Sequence, residues 1–338
     1  MKPIRSYILR GAGACAVIAT SLVGVSSHAG ASGSTVNVVG YSIVSPAYTA
    51  LENAFLQTPA GQGVTFRNSF GASTTQAQNV VAGQAADLVN FSAEPDLTLL
   101  VQAGLVSSKW QSTTVAKAEK GIVTDSVVVI VTRPGNPLNI KGWNDLTKSG
   151  VQIVTPDPIS SGSARWNLLA AYESQILQKA KPAAANTWIN HLIGNVISEP
   201  TSGSKALTAF LAGTGNVLLA YEADAAAAIA AGKAIQMIVP AQNLLIENPA
   251  ALTTSGSTNA AANAFYKYIF STVGQSIWES NRFRPTLPSL AAQVKKDFIQ
   301  PTALTTITKL GGWTSVTNKF FGSSGIITQA ESAHGYVS

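Results

Sequence analysis

The chain has 338 residues, of which 11% are charged, and its formal net charge is +6 at pH 7. The length predicts two domains rather than one, and the charged fraction is well below the roughly 25% of ordinary soluble domains. Because Lys and Arg form no cluster along the sequence, we expect no nucleic-acid partner.

The first 29 residues predict a cleaved export signal. Lys2, Arg5 and Arg10 precede an apolar run, GAGACAVIATSLVGV, that is too short to span a membrane. A small-x-small cleavage site, Ser-His-Ala, ends at Ala29. The single cysteine, Cys15, lies within the apolar run, so the mature chain has no disulfide. We therefore expect cleavage near Ala29 and a periplasmic location.

The rest of the chain alternates strands, turns of small residues and helices. Strands are predicted at 35–44, 63–69, 86–91, 126–132, 151–155, 217–222 and 235–240. Helices are predicted at 48–56, 77–84, 97–104, 164–181, 183–192, 223–232, 259–270 and 274–281. This order of elements predicts an α/β fold with a mainly parallel sheet.

Three of these strands lead into a run of small residues that opens a helix. The runs are GASTT at 71–75, SSGS at 160–163 and TSGS at 201–204. The first N–H groups of a helix have no internal partner and lie at the positive end of the helix dipole. A single turn of this kind is more simply explained as an ordinary helix cap than as an anion site. Three of them at the ligand-binding edge of a parallel sheet predict an anion site.

The side chains near these turns bear on which anion would bind. Sulfate at neutral pH only accepts hydrogen bonds, whereas monohydrogen phosphate also needs an acceptor, such as a carboxylate. The three turns contain no acid, which favours a site made only of donors, but Asp157 and Glu94 lie close enough in sequence to leave phosphate open. Arg165 is expected to brace the loop through backbone carbonyls, and Trp166 is expected to pack in the core.

Catalytic and metal-binding patterns are missing from the sequence. The mature chain has two histidines, His191 and His334, and neither stands in a metal-ligand spacing. The sequence contains no Gly-x-Ser-x-Gly elbow. We expect neither an enzyme nor a bound cofactor or metal.

The sequence resembles the sulfate-binding periplasmic proteins of ABC transporters, a sulfate/thiosulfate solute-binding family. The segments that carry the resemblance are FGASTTQ at 70–76, GNP at 135–137, WNDL at 143–146, TPDPISSGSARWN at 155–167, GNVLLAYEADA at 215–225 and LGGW at 310–313. The resemblance implies a two-lobed, type II fold in which each lobe is a mainly parallel sheet flanked by helices and the ligand lies between the lobes. One lobe would comprise 30–125 with 242–325 and the other 126–241, followed by a tail at 326–338.

The family's function implies a monomer that holds one sulfate through uncharged donors and delivers it to a membrane ABC permease. The implied ligand-binding residues are Ser42, Ser73, Ser161, Gly162, Ser163, Ser202, Gly203 and Tyr221, with Arg165 bracing the loop.

Two of these positions depart from the family pattern. Ser163 stands where the family has glycine, and Tyr221 stands where it has the tryptophan whose indole N–H donates to sulfate. Because a phenol can also accept a hydrogen bond, phosphate, thiosulfate and molybdate remain alternatives. A secreted structural protein that has kept the fold without the ligand is a further alternative.

Overall fold

The computed structural model describes residues 34–113 and 119–336, so the predicted export signal lies outside the described residues. The strands are β1 (Thr35–Tyr41), β2 (Thr65–Gly71), β3 (Leu88–Asn90), β4 (Ile122–Thr132), β5 (Ile153–Val154), β6 (Val196–Ser198), β7 (Val217–Tyr221), β8 (Gln236–Ile238), β9 (Gln242–Leu252), β10 (Arg284–Pro285) and β11 (Ala303–Thr305). The helices are α1 (Ser45–Leu56), α2 (Ser73–Val81), α3 (Glu94–Gln102), α4 (Gly162–Leu177), α5 (Pro182–Gly194), α6 (Gly203–Leu211), α7 (Glu222–Ala230), α8 (Thr254–Thr258), α9 (Ala260–Phe270), α10 (Thr272–Ser280), α11 (Pro288–Val294), α12 (Gly312–Val316) and α13 (Ile326–Ala333).

The strands run in the order β2-β1-β3-β9-β4-β7-β5-β6, with β8, β10 and β11 pairing beside this path. At one end β1 pairs in parallel with β2 and β3, and at the other β5 pairs in parallel with β6 and β7. These parallel groups, each followed by helices, confirm the predicted α/β fold. Between them, β4 and β9 pair antiparallel with each other and with the neighbouring groups.

The sequence did not predict β9, and it predicted only the second half of β4. Strand β9 carries Asn243, Glu247 and Pro249, which break the apolar pattern of a strand. The Asn243 side chain instead completes the sheet, because its amide donates to the carbonyl of Val128 at 2.8 Å and its Oδ1 accepts from the N–H of Val128 at 3.2 Å. A polar residue is therefore satisfied inside the strand by side-chain pairing with β4.

Helix α4 is the central helix of the molecule. From Gly162 to Gln175 every residue of α4 except Arg165 is buried. Because buried residues lie around its whole circumference, α4 is surrounded by other parts of the protein on all sides. The first turn of α4, which carries the SSGS run, is thereby placed deep inside the protein.

The C-terminal segment is ordered and packed. Residues 326–333, which the sequence analysis assigned to a tail, form α13, and Ile327, Ala330 and Glu331 on this helix are buried. The described residues cluster as one compact unit, and the boundaries of the two lobes stay a prediction. None of the described helices is long and apolar enough to cross a membrane.

Candidate functional site

The N-termini of α2, α4 and α6 meet at one place. The N–H of Thr74, in the first turn of α2, donates to the carbonyl of Ser160, just before α4, at 3.1 Å. A Cβ added to Gly203, the first residue of α6, would lie 3.1 Å from the Oγ of Ser163 in α4. Three positive helix ends therefore point into one buried region, as the three sequence runs predicted.

The first turn of α4 supplies two backbone donors. Gly162 and Ser163 are the first two helical residues, so their N–H groups have no partner within the helix. The N–H of Ser161 instead donates to the carbonyl of Asp157 at 3.0 Å. The N–H of Ser161, one of the residues that the family resemblance implies for ligand binding, is therefore already paired within the protein. The hydroxyls of Ser161 and Ser163 lie 2.8 Å apart, so one of their two protons remains to be donated elsewhere.

Gly162 stands at a close approach between α4 and the region around α3. A Cβ at this position would lie 2.9 Å from Oδ2 of Asp96 and 2.9 Å from Cβ of Ser92. Separations below 3.0 Å force a shift of the backbone or of these neighbours. Glycine is thus required here by space.

Asp96 is a buried acid that the sequence analysis missed. Its carboxylate accepts from the hydroxyl of Ser73 at 2.6 Å and from that of Thr74 at 2.7 Å. The Ser73 oxygen in turn accepts from the N–H of Ser92 at 2.9 Å. The three turns themselves contain no acid, but the fold brings Asp96 from α3 beside them. The Ser73 hydroxyl donates to Asp96 rather than standing free for a ligand.

The charge on Asp96 is only partly balanced. Burial raises the pKa of its carboxyl, while the positive charge of Arg165 and the two donated hydroxyl hydrogen bonds act to lower it. An acid in the first turn of a helix is also favoured by the helix dipole. In the sequence, Asp96 is therefore indistinguishable from an ordinary acid at a helix N-terminus. No neighbouring residue indicates that its side chain contacts α2 and lies close to α4.

Ser92 and Tyr221 form a second pair of hydroxyls. Both side chains are fully buried, and their oxygens lie 2.6 Å apart. The carbonyl of Ser92 accepts from Nε1 of Trp166 and from the amide of Asn248, each at 2.8 Å. Burial raises the pKa of Tyr221 far above its usual range, so the phenol keeps its proton. Tyr221 is among the ligand-binding residues that the family resemblance implies. Ser92 is not, because its role depends on contacts with distant segments.

The remaining predicted residues are used to fix helix α6. Oγ of Ser202 accepts from the N–H of Lys205 at 3.3 Å and caps the helix. Oγ of Ser42 accepts from the N–H of Ser204 at 3.3 Å and ties the segment after β1 to the same turn. Gly203 is the first residue of α6, so its N–H has no partner within the helix.

Arg165 and Asp157 hold the loop before α4. Nε of Arg165 donates to the carbonyl of Pro158 at 3.0 Å. The Asp157 carboxylate accepts from the N–H of Ile159 at 2.8 Å and from the hydroxyl of Ser160 at 2.7 Å. Both charged side chains thus bond to the loop itself.

These contacts define a donor cluster, by which we mean the backbone N–H groups of Ser73, Gly162, Ser163 and Gly203. All four belong to the first turn of a helix. The surrounding hydroxyls of Ser161, Ser163 and Tyr221 are buried. Neutral donors at positive helix ends, shielded from water, are the chemistry of an anion site. Within the described residues, no group of three His, Cys, Asp or Glu side chains is arranged to hold a metal ion.

Known proteins share this fold and much of this sequence. The family model of bacterial extracellular solute-binding proteins matches residues 36–284. The sulfate-binding protein of Synechococcus elongatus is 33% identical over 317 residues, which is 91% of this chain and 90% of the relative. The sulfate-binding protein of Escherichia coli is 30% identical over 290 residues, 83% of this chain and 87% of the relative. The thiosulfate-binding protein of Pseudomonas aeruginosa is 28% identical over 303 residues, 86% of this chain and 90% of the relative.

Solved structures give the same result. The sulfate-binding protein SubI of Mycobacterium tuberculosis H37Rv superposes with a TM-score of 0.81 at 40% identity, covering 85% of this chain and 99% of that one. A periplasmic thiamin-binding protein, at 17% identity and a TM-score of 0.67, covering 89% of this chain and 96% of that one, shares the fold alone. The fold is the predicted type II periplasmic-binding-protein fold, and the relatives are solute-binding transport proteins rather than enzymes. The chain belongs to the bacterial extracellular solute-binding proteins.

Proposed function

We propose that this protein captures sulfate in the periplasm, as a monomer, and delivers it to a membrane ABC permease. The observation that carries the proposal is the donor cluster, in which three helix N-termini present unpaired backbone N–H groups to one buried place. The relatives named for sulfate support the choice of ligand.

The donor cluster suits a dianion that carries no proton. Each helix N-terminus has a partial charge of about +0.5, so three of them offset much of the charge of sulfate without a Lys or Arg side chain. The backbone donors are held by the helices and need no rearrangement to meet the ligand. Sulfate offers only acceptors, and the four N–H groups offer only donors.

A specific observation favours a second ligand, monohydrogen phosphate. Asp96 lies beside the cluster, since its Oδ2 is 2.9 Å from the position of a Cβ on Gly162. A carboxylate oxygen that already accepts one hydroxyl can accept a second hydrogen bond, and phosphate carries the proton that it needs. Thiosulfate, for which a relative is named, and molybdate present acceptors only and stay alternatives within the same site.

Calorimetric titration of the mature protein, dialysed free of oxyanions, tests the function. We expect sulfate to bind with a sub-millimolar dissociation constant that is the same at pH 6 and pH 8, because neither sulfate nor the buried Tyr221 titrates there. If phosphate binds and its affinity depends on pH, phosphate rather than sulfate is the better assignment of the ligand. Heat from none of the four anions would contradict the transport role and favour a secreted structural protein.

Asp96→Asn is the variant that separates the two ligands. Asparagine keeps the size of the side chain but replaces one acceptor oxygen by a donor. If phosphate is the ligand, its affinity falls in this variant because the phosphate proton loses its acceptor. If sulfate is the ligand, the variant keeps sulfate binding, since no sulfate oxygen needs the carboxylate.

A further inference from the structure

The loop before α4 lines a cavity, here called the acidic cavity. It has a volume of about 240 Å³, and Asp157, Arg165, Glu199, Glu331 and Tyr336 are among its lining residues. Three of these five side chains are acids, which come from the loop before α4, from the residue after β6, and from α13. The carboxylates of the cavity therefore come from three separate segments, and the cavity adjoins the donor cluster through α4 and the loop before it.

Glu331 is the least accessible of these acids. Its side chain is 3% exposed, and among the described residues neither of its carboxylate oxygens accepts a hydrogen bond from an N–H group or an alcohol hydroxyl. Oε1 of Glu199 is likewise buried without a partner. The two carboxyl groups contact each other, and burial is the main cause that raises the pKa of both. Two buried carboxylates in contact repel each other and need a proton or a cation between them.

Arg165, which also lines the cavity, is positively charged, but among the described residues it forms no salt bridge with Glu199 or Glu331. Nε of Arg165 donates to the carbonyl of Pro158, and the Tyr336 hydroxyl donates to the carbonyl of Val196 at 2.6 Å. Among the described residues, the two salt bridges pair Lys148 with Asp145 and Arg284 with Glu222, and neither involves the acidic cavity. A buried carboxylate without a counter-charge is costly.

We propose that the acidic cavity binds a hard divalent cation, Ca²⁺ or Mg²⁺, between the carboxylates of Glu199 and Glu331. Carboxylate oxygens are the ligands that both ions prefer, and such ions are often held by one or two carboxylates with waters in the remaining positions. The cation joins α13 to the residue after β6 and so clamps the C-terminal helix onto the body of the protein.

Thermal unfolding with and without added Ca²⁺ tests the proposal. The mature protein is treated with EDTA, dialysed at pH 8 in a buffer without oxyanions, and heated with and without about 5 mM CaCl₂. An ion that binds only the folded state raises the midpoint, by about 2–4 °C if its dissociation constant is well below the added concentration. We expect this shift in the wild type and in Glu279→Gln, a control that removes a carboxylate from α10.

Glu331→Gln is expected to abolish the Ca²⁺ shift, because it replaces a ligand carboxylate by a neutral amide of the same size. No shift in the wild type, or an unchanged shift in Glu331→Gln, overturns the proposal and leaves the pair sharing a proton. If Glu331→Gln does not fold, Glu199→Gln serves as the second variant, with the same expected loss and the same contradicting result.

Terbium luminescence gives a direct readout of binding. Tb³⁺ takes oxygen ligands as Ca²⁺ does, and Tyr336 lines the cavity close enough to sensitise it. We expect a luminescence signal that Ca²⁺ displaces and that Glu331→Gln lacks. A signal that Ca²⁺ leaves unchanged contradicts the site. Neither assay contains sulfate or phosphate, so its outcome does not depend on whether the proposed transport function is correct.

Discussion

The donor cluster and the acidic cavity share one loop but hold opposite chemistry. In the donor cluster, helix geometry fixes the backbone N–H groups. Side chains such as those of Asp96 and Ser92 only limit the space around these groups, as at Gly162. In the acidic cavity, Asp157, Glu199 and Glu331 bring carboxylates from three distant segments. A local sequence pattern therefore marks each helix end of the first site, whereas no local pattern marks the acids of the second. Both sites form only when the tertiary fold brings their segments together.

Gly162→Ala is expected to break the donor cluster most severely. The added methyl group would lie 2.9 Å from Asp96 Oδ2 and from Ser92 Cβ, so the first turn of α4 must shift. We expect the affinity for the anion to fall about 100-fold or more, because overpacking moves two backbone donors at once. Titration calorimetry measures the change.

Gly142→Ala is the matched control for this substitution. A Cβ at Gly142 meets nothing within 4 Å, and its φ of 176° is extended backbone that alanine adopts. We expect wild-type affinity in the control. Equal affinity in both variants would show that the anion does not approach Gly162.

Ser73→Ala tests whether the Ser73 hydroxyl serves Asp96 rather than the ligand. The change leaves Asp96 Oδ2 and the N–H of Ser92 each without one partner inside the protein. We expect the free energy of unfolding to fall by about 1–3 kcal/mol, measured by denaturant titration. The exposed Ser257→Ala, which loses one surface hydrogen bond, should change it far less. A full loss of affinity at unchanged stability would instead mean that the hydroxyl donates directly to the anion.

Tyr221→Phe should have a moderate effect on binding. The change removes the hydroxyl that lies 2.6 Å from Oγ of Ser92, and we expect affinity to fall roughly five- to tenfold, or about 1 kcal/mol. Because burial raises the Tyr221 pKa, the phenol stays protonated from pH 6 to 9, and wild-type affinity should not change with pH on its account. Tyr268→Phe on α9 is the control. If Tyr221→Phe binds the anion as tightly as the wild type, the Tyr221 hydroxyl does not donate to the ligand.

Asp157→Asn should have the smallest effect, since it alters charge without altering the loop. Asn keeps an acceptor for the N–H of Ile159, and the Ser160 hydroxyl has a second acceptor in the carbonyl of Thr201 at 3.0 Å. Removing one negative charge near the site should raise anion affinity by about threefold or less. The exposed Asp297→Asn controls for net charge. A decrease in affinity would show that the Asp157 charge itself maintains the donor geometry.

Much of the fold followed from local patterns. Apolar strands followed by small-residue turns, such as 63–69 and 151–155, predicted the parallel groups correctly. The strand at 126–132 was also predicted, but it pairs antiparallel with its neighbours. Strand β9 was missed because Asn243 and Pro249 violate the local pattern and are accommodated only by pairing with β4. Helix α13 is short, and its apolar face has a role only where it packs on the rest of the protein.

The site shows the same limit. The SSGS and TSGS runs identified the helix N-termini, since the small residues and the helix start are adjacent in sequence. Asp96 and Ser92 could not be identified this way, because an acid in a first helical turn and a serine after a strand are ordinary features. Their roles come from partners up to 156 residues away, as in the hydrogen bond from the Asn248 amide to the Ser92 carbonyl.

The most direct test of the donor cluster is to follow backbone amide resonances by ¹⁵N–¹H correlation NMR while sulfate is added. We predict that the amide protons of Ser73, Gly162, Ser163 and Gly203 move downfield as they form hydrogen bonds to the anion, while Gly142 stays in place. If sulfate binds and these four amides do not move, the anion is held elsewhere and the account of the site is wrong.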